Sequence, residues 1–151
     1  MLKGISPLLP PDLLKIMMEM GHGDTIVIGD GNFPAASVAR RLVRCDGHRG
    51  TEIAAAMLAL FPLDRPQNQP AAVMATEDGS LPPIWNEYLQ IMKRQDYQPE
   101  LTQIERFAFY EEARKAYAVV ATGEMALYAN LILKKGVIAQ GPACERKTNH
   151  E

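Results

Sequence analysis

The run 117–122, YAVVAT, constrains the fold more than any other segment. It is short, apolar and free of charge, which suits a strand buried on both faces. Such a strand needs cover on each side. Further short apolar runs, at Thr25–Gly29, Leu42–Cys45, 71–76, 102–107 and 130–134, alternate with helical patterns at 11–20, 34–40, 51–61, 83–95 and 109–116. Pro11 suits the first turn of the first helix and Gly21 its end; Thr51 suits the cap of the third. Strands alternating with helices predict an α/β domain, three layers deep, with helices on both faces of a mixed central sheet.

A chain of 151 residues with 47% hydrophobic content suits one compact domain. We expect that domain over residues 1–138, with 139–151 a polar, patternless tail that frays. The net charge of -2 and pI near 5.9 argue against nucleic-acid or anionic-membrane partners. The densest basic cluster, Arg40, Arg41 and Arg44, reads as a solvated face or a subunit contact. Two cysteines, Cys45 and Cys144, do not make a disulfide framework. The N-terminal residues lack the apolar run of a signal peptide, and no window approaches the ~18 apolar residues of a membrane span. The chain reads as soluble and cytoplasmic.

Chemistry is concentrated in MGHGDTIVIGDGNFP, residues 20–34. His22 lies on a glycine-flanked loop before an apolar strand, and Asp30 on a glycine-rich loop after it. An imidazole, with an ordinary pKa near ~6.5, gives or takes a proton near neutrality. His22 is therefore either a general acid/base or a loop residue capping the preceding helix. Asp30 either holds a ligand hydroxyl or makes an Asx turn. The Gly29–Gly31 segment lacks the third glycine of a dinucleotide fingerprint, and Asp30 to Asn32 lacks the remaining ligands of a calcium loop. His22, Asp24 and Asp30 have no metal-site spacing, so no metal is expected. There is no G-x-S-x-G elbow and no cysteine with a fitting partner, which leaves nucleophilic catalysis without a candidate.

A second cluster lies late in the chain. Arg106, at the end of the 102–107 run, is a cation for sugar or carboxylate oxygens, or a surface partner of Glu111 or Glu112. Tyr128 and Asn130 share a face if the chain is extended there, and a phenol beside an amide suits hydroxyl binding. Otherwise Tyr128 packs at a sheet edge and Asn130 satisfies a turn. Glu124 either joins the site or caps a turn. The kit is polar, without nucleophile or phosphate loop, and suits proton shuttling on a neutral polyol.

Two long segments carry a resemblance. MLKGISPLLPPDLLKIMMEMGHGDTIVIGDGNFP and RFAFYEEARKAYAVVATGEMALYANLILKKGV resemble the N-terminal and C-terminal parts of the RbsD/FucU family of sugar mutarotases, up to about Val137. Arg106 followed by Phe-Ala-Phe-Tyr-Glu resembles the fucose branch; the ribose branch usually carries His there. The resemblance implies an RbsD-like fold and an isomerase that interconverts the α and β anomers of L-fucose or a related monosaccharide. A D-ribose pyranase-like activity and a non-catalytic, transport-accessory sugar binder are the alternatives. By the same carry-over His22 is the proton donor, Tyr128 its best candidate partner, and Asp30, Arg106, Tyr128, Ala129 and Asn130 bind substrate. The resemblance further implies no cofactor, no metal, and a ring-shaped homo-oligomer, commonly a decamer of two pentamers. Asn32 departs from relatives that carry His there.

One inference comes from spacing. Eight residues separate His22 from Asp30, roughly 26 Å if extended at about 3.3 Å per residue. One monosaccharide cannot bridge that span. Either the glycine loops fold back, or His22 completes a site on a neighbouring subunit, the reading we favour.

Overall fold

The protein is described by a computed structural model over residues 1–98 and 100–139. Apart from Ala139, the expected tail at 139–151 lies outside the described residues. In chain order the elements are α1 (Pro11–Glu19), β1 (Thr25–Gly29), α2 (Ala35–Val38), β2 (Leu42–Cys45), α3 (Gly50–Leu58), β3 (Ala71–Met74), α4 (Pro83–Arg94), β4 (Thr102–Ile104), α5 (Arg106–Lys115), β5 (Ala118–Thr122) and β6 (Leu131–Lys134), with a 3-10 turn at Pro66–Asn68.

The strands form one sheet in the order β2-β5-β1-β6-β3-β4. β5 runs parallel to both β1 and β2, and β3 parallel to β4. β6 is antiparallel to its neighbours β1 and β3. The sheet is therefore mixed, as the sequence predicts, with a single reversed strand near its middle.

Alternation along the strands explains the three layers. Ile26, Ile28, Val120, Leu131 and Leu133 join the core under α1, α3 and α4. Val27, Val119, Ala121 and Ile132 join the opposite core, under α2 and α5. Every residue of β5 is buried, which is why its sequence shows no polar alternation.

Local chemistry moved several boundaries. The 102–107 strand ends at Ile104, because Glu105 turns the chain into α5. Its carboxylate accepts hydrogen bonds from the backbone N–H of Phe107 and Ala108, at 3.0 and 3.1 Å. Arg106 thus opens a helix rather than closing a strand. Thr51 does not cap α3 either. Gly50 is the first helical residue, and the Glu52 carboxylate reaches back to the Arg49 N–H at 2.9 Å. The 34–40 helix shrinks to one turn, Ala35–Val38. In the basic cluster, Arg44 forks onto Asp46 and Arg41 stacks 3.8 Å over the Tyr117 ring.

Candidate active site

Reversal of β6 decides where polar groups meet. The five parallel strands point their C-terminal ends one way, and the antiparallel strand enters the sheet from that same end. Asp30, leaving β1, and Asn130, entering β6, are thereby brought side by side. The Asp30 N–H donates to Asn130 Oδ1 at 2.8 Å, across a hundred residues of chain. Asp30 Oδ1 in turn accepts from the Asn32 N–H at 2.9 Å, an Asx turn. The Asx-turn reading of Asp30 therefore holds, with the carboxylate fixing its own loop.

Gly31 fixes the same loop from the side. Its N–H donates to the Glu124 carbonyl at 2.8 Å, and a Cβ at Gly31 would lie 3.1 Å from that oxygen. Glu124 is buried. Its Oε2 accepts from the Met125 and Ala126 N–H groups, so it caps the turn that leads toward Tyr128.

Tyr128 is not extended, contrary to the face-sharing argument from sequence. Its φ is +56°, in the left-handed region that is uncommon for a side chain of this size. Two side chains of α4 hold it there. Trp85 Nε1–H donates to the Tyr128 carbonyl at 2.8 Å, and the Tyr88 hydroxyl donates to the Ala129 carbonyl at 2.6 Å. Trp85, Tyr88 and Ala129 are all buried, so the clamp is dry. Tyr128 and Asn130 line the cavity described next, whereas Ala129 does not.

Asp30, Asn130, Tyr128 and Arg106 line one cavity of about 330 Å³, in the lower part of the range of about 300–1,000 Å³ for small-molecule sites. Arg106 has no ion-pair partner among the described residues, since Glu111 pairs with Arg114 and Glu112 with Lys115. Its guanidinium lies 5.9 Å from the ring centres of both Phe107 and Tyr110.

Burial raises the Asp30 carboxyl above its ordinary value, and the Glu124 charge adds to that; backbone N–H donors oppose it. A raised carboxyl pKa contributes stability below its unfolded value and loses it as pH rises through the folded one. At neutral pH the ionised Asp30 therefore costs stability. Asp30→Asn keeps an oxygen for the Asn32 N–H and removes the charge. We expect a higher Tm at pH 7, a gap that closes toward the ordinary aspartate pKa of about 3.9, and a turnover loss of about 10–100-fold. Thermal unfolding across pH reads the first two, and a Tm below wild type at pH 7 contradicts the argument.

His22 is not in this cavity. It precedes β1, so the strand alone holds it about 13 Å from Asp30, at the opposite end of the sheet, and the two cannot share one metal ion. Nor does His22 cap α1; Lys135 Nζ does, donating to the Met17 and Met20 carbonyls at 2.6 Å each. The end of β6 instead builds a second polar centre. The Gly23 N–H donates to the Lys135 carbonyl at 2.8 Å and the Asp64 N–H to the Lys134 carbonyl at 3.0 Å. These two bonds bring His22 Nε2 to 3.2 Å from Asp64 Oδ1.

Asp64 is a residue that the sequence does not single out, and the structure places it, buried, beside His22. Burial would raise its carboxyl, but N–H donation from Arg65, Asn68 and His22 outweighs burial and holds it below the usual aspartate range. An ionised carboxylate can only accept, which makes Nε2 the protonated nitrogen of His22. Nδ1 is left to exchange a proton, on a side chain 56% exposed. Beside it lies the larger hollow, about 800 Å³ and apolar, walled by Met17, Met18, Leu60, Val137 and Ile138.

Comparisons with known proteins agree with this fold. Residues 3–138 match the model of the RbsD / FucU transport protein family. The chain is 49% identical over 149 residues to the human fucose mutarotase, covering 93% of this chain and 97% of that protein. It superposes on the fucose mutarotase from Streptococcus pneumoniae, solved in complex with L-fucose, with a TM-score of 0.87 and 46% identity over 91% of this chain and all of that one. Against Bacillus subtilis RbsD complexed with D-ribose the TM-score is 0.66 and the identity 25%, over 92% of this chain and all of that one. By the family match over residues 3–138 and the 49% identity to the human protein, the chain belongs to the RbsD/FucU family.

Proposed function

We propose that this protein is an L-fucose mutarotase that catalyses exchange between the α and β anomers. The observation that carries the reading is the cavity in which Asp30 and Asn130, pinned to each other, face Tyr128 and Arg106. Donors, acceptors and one free cation suit a neutral ring of hydroxyls. The fucose mutarotases among its relatives, including one solved with L-fucose bound, support that sugar over ribose, as does Arg106.

Mutarotation needs two proton transfers. The ring oxygen gains a proton as the C1–O5 bond breaks, and the C1 hydroxyl loses one, leaving the open aldehyde. Rotation about C1–C2 exposes the other carbonyl face, and the reverse transfers close the ring. His22, oriented by Asp64, is the acid/base group. Tyr128 is its partner at the sugar, while Asp30, Arg106 and Asn130 position the hydroxyls.

His22 reaches the sugar from a neighbouring copy. Two apolar areas support that assembly. One surrounds His22, where Met18 and Ile138 are 84% and 82% exposed; the other rims the sugar cavity, where Met125 and Leu127 are 89% and 71% exposed. Large exposed apolar areas mark interaction surfaces. Docking the first onto the second is a head-to-tail contact, which forms a ring where the rotation between copies closes. The family resemblance supports a ring-shaped decamer as that assembly. No helix among the described residues is long and apolar enough to cross a membrane.

Saturation-transfer NMR on the anomeric protons of L-fucose and D-ribose tests the reading. Faster exchange of fucose is the expected result. Acceleration of ribose alone would make the protein a pyranase, and binding without acceleration a sugar-binding protein.

A further inference from the structure

The sugar cavity has apolar as well as polar lining. Beside the polar groups of Asp30, Glu77 and Asn130, an apolar set, Phe33, Met74, Ala75 and the Tyr110 ring, lines the cavity. We infer that this apolar wall is a seat for a methyl group and selects 6-deoxyhexoses, a proposal that rests on the function given above.

The wall is built, not incidental. Phe33 meets Phe109 edge to face at 6.0 Å and Tyr110 at 5.9 Å with the rings tilted by 32°. Phe33 lies this close to the end of β1 only because residue 29 is glycine. A Cβ at Gly29 would stand 2.8 Å from Phe33 Cδ1, a separation that side-chain atoms do not tolerate. Met74, at the end of β3, is itself buried, and Phe109 fixes the far side of Phe33.

The chemistry of the sugar matches this asymmetry. L-fucose carries four hydroxyls and one methyl, the C6 group. D-arabinopyranose has the same ring hydroxyl arrangement without the methyl, and L-galactose places a hydroxyl on that carbon. An apolar wall gains from the methyl, whereas a hydroxyl there gives up water for at most the Tyr110 phenol among these four residues. Aromatic rings that merely stacked on sugar C–H bonds would treat fucose and arabinose alike.

The experiment compares the acceleration of mutarotation, over each sugar's spontaneous rate, for L-fucose, D-arabinose and L-galactose. The unaltered protein is expected to favour fucose by about 10-fold or more over each of the other two. Tyr110→Ala and Phe33→Ala should lower kcat/KM for fucose by about 10-fold and change arabinose by less than about 2-fold. Because Phe33 also packs in the core, Tyr110→Ala and the comparison in the unaltered protein stand independently of it. Equal acceleration of fucose and arabinose would overturn the methyl seat while leaving the mutarotase standing. So would variants that slow all three sugars alike. No acceleration of any of them removes the function itself, and this proposal with it.

Discussion

His22→Ala is expected to lower kcat for L-fucose anomer exchange by about 10²–10⁴-fold, with KM changed by less than about 3-fold. The imidazole is 56% exposed and stands outside the cavity that holds the hydroxyls, so its loss removes proton transfer and leaves binding. Asp64→Asn should be milder, about 10–100-fold, because it disturbs the orientation of the ring rather than removing it. Asparagine can also turn its amide N–H toward Nε2, which would favour the wrong tautomer. Saturation transfer over a range of fucose concentrations separates kcat from KM. An unchanged kcat in His22→Ala would take the residue out of the chemistry. A fall in KM-controlled binding alone would make it a contact.

The second large effect is a recovery. His22→Ala and the double variant Asp30→Asn/Arg106→Gln should each be nearly silent alone. In the proposed ring, each head-to-tail contact joins the His22 end of one copy to the Asp30 mouth of the next. In rings assembled at random from equal amounts of the two, about a quarter of the contacts pair an intact His22 with an intact mouth. Co-expression should then restore about a quarter of the activity of the unaltered protein. If each copy used its own His22, every site would carry one defect or the other, and the mixture would stay silent. Differently tagged copies, purified through both tags, guarantee that the rings measured are mixed.

Much of this layout was legible in the sequence because the sheet obeys simple periodicities. An all-buried β5 and the two-sided β1 announce themselves as charge-free apolar runs, and the prolines and glycines mark most helix ends. The failures have physical causes. Glu105 caps α5, although glutamate is not among the usual capping residues, so the 102–107 run read as continuous strand. The left-handed turn at Tyr128 carries no glycine to announce it; its cause is the pair of donors on α4, some forty residues earlier in the chain. Asp64 had no local signal at all. Its partner His22 is 42 residues away, and only the hydrogen bonds at the end of β6 bring the two loops together. The apparent conflict between His22 and Asp30, by contrast, was visible from spacing alone, since a strand between two residues separates them in any fold.

The placement of β6 has a consequence for how the molecule comes into being. It is the last strand in chain order, yet it sits between β1 and β3. Until it is inserted, the sheet exists as two pieces, β2-β5-β1 and β3-β4, with no backbone pairing between them. A nascent chain emerging from the ribosome thus has almost all of its residues before its halves can join. Asn130 and the carbonyls of Lys134 and Lys135 arrive with that same strand, so both polar centres are completed in one late event. Chains cut short before β6 would carry Asp30, Arg106, His22 and Asp64 and still lack the hydrogen bonds that assemble both centres.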